Sequence, residues 1–256
     1  MKDPKDYNVR AVERALQILN CFNDEHPERG ISEIAQAVDL HKSTTHRIVT
    51  TLLNYGFLER NENEQRYRLG LQMAALGVKV FRRMNARQEA LPFMNELVNK
   101  WDETCDLCIF DQNQVFYVEV LQGKHALTIA ANVGHRLPAH CTASGKLFLA
   151  HLTSHEFDQF LEKPLREFTE KTITSPDILR KQLVTIRQQG YSIDDEELES
   201  GIRAVAAPIR DIGGEIIAAI SIPGPVNRMT SERISDITAS LLDKTQIVSR
   251  RMGWKM

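Results

Sequence analysis

The stretch SEIAQAVDLHKSTTHRIVTTLLNYG, Ser32 to Gly56, holds two short helical patterns with only Asp39 to Lys42 between them. Ser32 can cap the first, whose buried side is Ile34, Ala35 and Val38. The second runs from Ser43 to Tyr55 with Thr45, Ile48, Val49 and Leu52 inward, and Gly56 closes it at a C-cap position. Two helices joined this tightly read as helix-turn-helix. Upstream, beyond a charged turn with Pro27 and Gly30, the spacing of Val12, Ala15, Leu16, Leu19 and Phe22 predicts a further helix with one apolar stripe. Downstream, Phe57 to Arg60 and Arg66 to Leu69 are extended runs around a polar turn at Asn61 to Glu64, the pattern of a wing.

A recognition helix needs short donors and acceptors for base edges on an exposed face, with cations beside it for phosphates. Ser43, Thr44, His46 and Arg47 supply that face: Arg47 has the fork for a guanine, and Lys42 is placed for the backbone. Arg66 and Arg68 on the wing, with Arg14 on the first helix, are further candidates for phosphate contact. A polar helix face with two cations is in isolation an ordinary solvated surface. Here it sits in a run from Leu40 to Leu58 without one acidic residue, between a tight helical pair and a wing, and that context favours DNA. The first 84 residues hold 13 Lys and Arg against 11 Asp and Glu, whereas the remainder holds 19 against 23. The front is mildly basic and the back acidic.

The whole chain has 256 residues, 42% hydrophobic and 26% charged, with a formal net charge of -2, which predicts about two folded domains. It excludes a disordered chain and a uniformly basic nucleic-acid coat. No apolar run approaches the roughly 18 residues of a membrane helix, and MKDPKDYNVR has no signal-peptide core, so a cytoplasmic protein without a membrane partner is expected. Cys21, Cys105, Cys108 and Cys141 are too scattered for a disulfide framework and read as reduced thiols.

Leu71 to Arg83 is apolar on more than one helical face and reads as a linker helix that also makes a dimer contact. From about Asn85 the pattern is mixed α and β. A helix carries Leu91, Met94, Leu97, Val98 and Trp101 inward, with Pro92 in its first turn. Strands are expected at Leu107 to Phe110, Val115 to Val120 and Ala126 to Ala131 as an antiparallel meander. Helices follow from about Ala143 to Leu152, near Glu156 to Leu161, and from Ser175-Pro176 to Gly190. Strands Ala204 to Ile209 and Glu215 to Ile222 flank the Asp211 to Gly214 turn, and an amphipathic helix ends near Gly253.

Three places in the rear half can carry chemistry. Gly134 to Lys146 runs from a loop into a helix start, where backbone N–H groups attract anions and the small Ala143, Ser144 and Gly145 allow close approach; tight packing of a capped helix is the plainer reading. It is no phosphate-binding P-loop, because Leu147 follows Gly145-Lys146. Asp194 to Gly201 is an acidic run at a strand end, suited to acid/base work or simply to solvent. Ser221 places a hydroxyl inside the apolar strand Ala218 to Ile222, where it must find a partner. His125, His135, His140 and Cys141 lack metal-ligand spacing, and Cys105-x-x-Cys108 has no second pair, so no metal and no cofactor are expected. An enzyme using Asp194, His140 or Cys141 is the rival class, but no nucleophile, base and orienter are spaced for it.

These residues resemble the isocitrate lyase regulator (IclR) family of bacterial transcription factors over nearly the whole chain. The resemblance lies in Val12 to Leu19, Lys42-Ser43-Thr44-Thr45-His46-Arg47, Arg66-Tyr67-Arg68-Leu69-Gly70, Gly134 to Pro138, Thr142-Ala143-Ser144-Gly145-Lys146 and Gly201 to Pro208. It implies an α+β chain: a winged helix-turn-helix at 1–70, a linker helix at 71–84 and a GAF/PAS-like α/β effector-binding domain at 85–256. It implies homodimers, often paired into tetramers, on palindromic double-stranded operators, with repression slightly ahead of activation. The implied effector is a small metabolite, a carboxylate or aromatic acid, held by Ala143, Ser144, Ser221 and an acidic residue that maps to Asp194 or one position on, with Ile129, Leu137 and Ala204 as apolar walls. Cys141 precedes the helix-start motif and enters the same pocket set. Pro223 stands where some relatives place a second polar pocket residue.

Overall fold

The computed structural model describes residues 9–61, 65–83, 85–125 and 132–255, which gather into two units, 1–83 and 84–256. The expected wing tip at 62–64 and the expected strand Ala126 to Ala131, with Ile129, lie outside the described residues. No described helix is long and apolar enough to cross a membrane.

In the first unit, helices α1 (Arg10–Asn20), α2 (Ile31–Ala37) and α3 (Lys42–Asn54) precede strands β1 (Leu58–Asn61) and β2 (Arg66–Leu69) and helix α4 (Leu71–Arg83). Ile18, Phe22, Ile34, Val49, Leu52, Leu58 and Tyr67 form its core. Gly56 takes φ 72° after α3, a left-handed turn open to glycine, and lets the chain reverse into β1. The antiparallel pair β1 and β2 is extended by a bridge from Arg29 to Tyr67.

Two local expectations are corrected here. The buried stripe of α1 is Ala15, Ile18, Leu19 and Phe22, while Val12 and Leu16 are 56% and 55% exposed. Both sets fit a helical period, and only the partners Ile34 and Val49 choose between them. The α2 cap is Gly30, whose N–H donates to the Glu33 carboxylate at 2.8 Å, leaving Ser32 inside the helix. Leu71 and Leu76 of α4 are exposed in the single chain.

In the second unit, helix α5 (Asn85–Trp101) leads into strands β3 (Cys105–Asp111), β4 (Gln114–Leu121) and β5 (Arg136–Pro138). Helices α6 (Ala143–Leu149), α7 (Ser154–Phe160) and α8 (Pro176–Gln189) follow. Strands β6 (Ser192–Asp195), β7 (Ile202–Arg210) and β8 (Ile216–Pro225) and helix α9 (Ser231–Arg251) complete it. Pro92 lies inside α5, not in its first turn, because the helix begins at Asn85. The six strands form one antiparallel sheet in the order β5-β4-β3-β8-β7-β6.

Side chains alternate across this sheet. Leu107, Val205, Ala207 and Ile220 lie on the face covered by α5 and α9. Cys108, Val115, Tyr117, Ala206 and Ala219 lie on the other, packed with Leu147 and Phe148 of α6 and Leu179, Leu183 and Ile186 of α8. A register shift opposite Leu107 and Cys108 brings Tyr117 beside Cys108, turning the phenol onto the α6 face, as bulges do.

Candidate functional site

On α3 the inward residues are Thr45, Val49 and Leu52, which leaves Lys42, Ser43, His46 and Arg47 exposed and Thr44 half-buried on the opposite side. Lys42 and Arg47 have no ion pair among the described residues, so their charge is available to a polyanion. Arg14 joins them: a groove between α1 and α3 is lined by Arg10, Arg14, Thr44 and Arg47 among others. Arg10 was not singled out by spacing, because nothing in the sequence alone turns α1 so that both arginines meet α3.

The wing arginines are placed differently. Arg66 donates to Glu33 Oε2 at 2.8 Å and to the Glu28 carbonyl at 2.9 Å. Arg68 meets Glu59 at 3.2 Å and Glu28 at 3.7 Å. Both guanidiniums are occupied within the unit, fastening the wing to α2 and to its own hairpin. Such half-exposed pairs contribute little stability individually, but they orient the fork.

The second candidate site follows from sheet register. Asp106, Ser221, Ala206 and Ser192 form one row across β3, β8, β7 and β6, and Pro223, Ala204 and Asp194 form the next row on the same face. Between these rows and the start of α6 lies a cavity of about 160 Å³. Of the residues singled out from sequence, Leu137, Ala143, Ser144, Asp194, Ala204 and Ser221 line it, as does Pro223. Cys141 is buried but is not among the lining residues, and burial pushes its thiol up to about 12. Asp195 points away, paired with Arg203 and Lys171, so of the two adjacent aspartates it is Asp194 that lines the cavity.

Asp106, which sequence reading passed over, is the most buried polar group of the cavity wall, with no exposed surface. Its Oδ1 accepts from Ser221 Oγ and from the Cys108 thiol, while Oδ2 has no hydrogen-bond partner among the described residues. Ser144 Oγ, 2% exposed, likewise has none that meets hydrogen-bond geometry. Burial holds the Asp106 carboxyl up at about 6 against the pull of the Ser221 and Cys108 donors. Burial also raises Asp194 to about 7, opposed by the Glu197 N–H and by Lys146.

Beneath the cavity, Lys146 of α6 and Glu197 of the β6–β7 loop form an ion pair, with side chains 0% and 6% exposed. The Glu197 N–H donates to Asp194 Oδ1 at 2.7 Å, so one loop holds both carboxylates. The expected solvated charge run is therefore divided: Asp194 and Glu197 turn inward, Asp195 and Glu196 outward onto Arg203 and Lys171. At the start of α6, Thr142 Oγ1 accepts from Gly145 N at 3.2 Å, and a Cβ on Gly145 would stand 2.2 Å from the Ala139 carbonyl oxygen. Gly145 is small for the sake of that packing, whereas Ala143 and Ser144 face the cavity.

Raised carboxyls set a pH dependence. The folded chain keeps protons on Asp106 and Asp194 above pH 3.8, where the unfolded chain has released them, so stability falls as pH rises towards about 7. The melting temperature is expected to drop between about pH 4 and about pH 7, and Asp194→Asn to flatten that slope. An unchanged slope in the variant would clear Asp194 of the effect.

The donor set for enzyme chemistry does not assemble. His140 Nε2 donates to the Arg166 carbonyl at 2.8 Å, and the Cys141 thiol is held protonated by its surroundings. Among the described residues no three His, Cys, Asp or Glu side chains gather as a metal set.

Residues 11–62 match the IclR helix-turn-helix domain, and residues 78–250 match the bacterial transcriptional regulator IclR C-terminal domain. The HTH-type transcriptional regulator XynR of Escherichia coli (strain K12) is 34% identical over 247 residues, covering 96% of this chain and 98% of the relative. The transcriptional repressor IclR of the same strain is 30% identical over 253 residues, covering 98% and 92%. Among solved structures, an IclR homolog from Microbacterium hydrocarbonoxydans complexed with 4-hydroxybenzoate aligns with a TM-score of 0.85 at 28% identity, over 94% of this chain and 98% of that one.

Proposed function

The chain belongs to the IclR family of bacterial transcriptional regulators, DNA-binding proteins with a ligand-binding C-terminal domain rather than enzymes, and from that premise we propose that it is a homo-oligomeric repressor released from, or tightened on, a palindromic operator by a small acid. Residues 1–70 read DNA, 71–84 link, and 85–256 bind the effector. Lys42, Ser43, Thr44, His46 and Arg47 carry the DNA contact with Arg14 beside them, and Arg66 and Arg68 hold the wing in position for it.

The effector is a carboxylate or an aromatic acid seated among Ala143, Ser144, Asp194 and Ser221, with Leu137 and Ala204 as walls. The observation that carries this reading is the cavity itself, lined at the start of α6 by the buried Ser144 Oγ, which among the described residues has no partner of full hydrogen-bond geometry. A relative complexed with 4-hydroxybenzoate favours the same ligand class. Ligand and DNA are coupled only if the effector has different affinity for the two operator-binding states. The exposed Leu71 and Leu76 of α4 favour a second copy of this chain as their cover.

Enrichment of random DNA on the purified protein, then gel shift of the selected site with a panel of small carboxylates and aromatic acids, tests the whole reading. A palindrome whose shift responds to one compound is expected; no enriched site at low salt would overturn it. Ser221→Ala is expected to weaken the responding compound about tenfold, the scale of one buried hydrogen bond, and Ala143→Leu to weaken it by filling the cavity, both with operator affinity in the absence of ligand unchanged. Loss of both affinities together would mark a folding defect instead.

A further inference from the structure

Helix α6 starts at the cavity, and its far end meets the β7–β8 hairpin through His151. This residue, just past the C-cap, is half-buried, and its Nδ1 lies 3.0 Å from the Leu147 carbonyl oxygen. Its Nε2 lies 3.0 Å from Nη2 of Arg210 on β7. A guanidinium has donors only, so Nε2 must be the acceptor, and Nδ1 must carry the single proton of the ring and donate it to Leu147. The contact exists only with a neutral imidazole. Arg210 is engaged on its other sides as well. Its Nη1 donates to the Gly214 carbonyl at 2.8 Å, its backbone N–H donates to Ser249 Oγ of α9 at 2.9 Å, and its guanidinium lies 6.0 Å from the centre of the Trp254 ring. One arginine therefore joins the end of α6 to the hairpin and to the end of α9.

We propose that His151 is a proton-operated switch: neutral, it latches the end of α6 to Arg210, and a second proton on its ring breaks that latch and loosens the β7–β8 hairpin from α6. The inference is independent of which ligand fills the cavity. The charged groups that face the imidazole are Arg210 from β7, Arg187 from α8 and Glu215 from the hairpin. Arg187 is fixed beside the ring by its donation to the Ala150 and Leu152 carbonyls, so an imidazolium would be the third cation in one place. Glu215 opposes this, but it is exposed. The end of a helix also favours a cation, as does the Leu147 carbonyl. Burial and the two arginines outweigh both, and the imidazole is held below its ordinary value of 6.5, with burial the largest cause. The unfolded chain thus takes up this proton from about pH 6.5 downward and the folded chain only at lower pH, so the contribution of the latch is complete above 6.5 and is lost as the pH falls. That trend is opposite in sign to the one from Asp106 and Asp194, so a melting curve sums the two and a local readout is needed.

Two measurements on the full-length protein test it. In the first, the chain is labelled with ¹⁵N-histidine and the imidazole nitrogens are followed by NMR through the pH range, with His151 identified by its absence from the spectrum of His151→Gln. The Nδ1–H form is expected at neutral pH, with a titration below 6.5 that moves back towards 6.5 in Arg210→Gln. In the second, hydrogen exchange of segments 147–152 and 210–216 is compared at about pH 7.5 and about pH 5 after correction for the intrinsic pH dependence, and should be about two- to tenfold faster in acid, the scale of one lost hydrogen bond. His151→Gln, whose amide oxygen can accept from Arg210 but which takes up no proton, should exchange alike at both pH values. His151→Leu should show at the higher pH the exchange that the unaltered chain shows in acid. His140 and the two raised carboxyls titrate in every one of these chains, so they cancel from the comparison. An Nε2–H tautomer, a titration at or above 6.5, exchange that acid leaves unchanged in the unaltered chain, or an acid response that persists in His151→Gln would each overturn the proposal.

Discussion

Arg47→Ala is expected to weaken binding to the selected operator about 10- to 100-fold at fixed salt, with effector affinity unchanged, the loss that follows removal of one bidentate base contact. The size comes from what Arg47 is not doing. Its guanidinium lies exposed on α3 with no ion pair among the described residues, so folding has no claim on it. Removing it leaves Thr45, Val49 and Leu52, the residues that fix α3 to the core, untouched. Lys42→Ala should behave differently, weakening all sequences alike and lowering the salt slope by about one, as a phosphate contact does. Arg66→Ala is the informative contrast: it frees Glu33 and the Glu28 carbonyl, so its effect should include a loss of thermal stability that Arg47→Ala does not show. Gel shift and melting on the three variants separate these roles. Full operator affinity in Arg47→Ala would remove that residue from base reading.

Much of this was legible in the sequence, and where it was not, the reason is geometric. The helix pair, Gly56 and the wing are local patterns, set by residues a few positions apart, and the structure has them within a residue or two of the expected bounds. The face of α1 was not, because Leu16 and Ile18 serve a helical period equally well until Ile34 and Val49 arrive from elsewhere in the chain. The cavity divides the same way. Ser221 stood out as a hydroxyl in an apolar strand, and Asp194 through the resemblance. Asp106 did not stand out, because the expected strand began at Leu107, whereas β3 begins at Cys105 and takes Asp106 into its buried part. It was hidden by the cysteines on either side, which drew the reading towards metal spacing. What no spacing could supply is the pairing of β3 with β8, which sets Asp106 opposite Ser221 across 115 residues of chain. Arg66 and Arg68 show the converse limit: charge on a wing is visible in sequence, but whether glutamates have already taken it is not.

The largest stability effect is expected at Lys146. A lysine with no exposed surface is tolerated only because Glu197 meets it, and Glu197 already has one oxygen, Oε2, without a partner among the described residues. Lys146→Met leaves that carboxylate buried and uncompensated, a defect that typically costs about 3–5 kcal/mol. For a unit of this size that lowers the melting temperature by roughly 10 °C. The double variant Lys146→Met with Glu197→Leu should recover most of the loss, since a buried pair replaced by apolar side chains of similar volume is often neutral. The two variants also separate stability from function. In the double variant the Glu197 backbone N–H can still donate to Asp194 Oδ1, so effector binding should return with the fold. If stability returns and binding does not, the charges of the pair themselves tune Asp194, and Lys146 belongs to the binding machinery. If Lys146→Met alone melts within a degree or two of the unaltered chain, water reaches the pair, and the base of the cavity is wetter than its burial indicates.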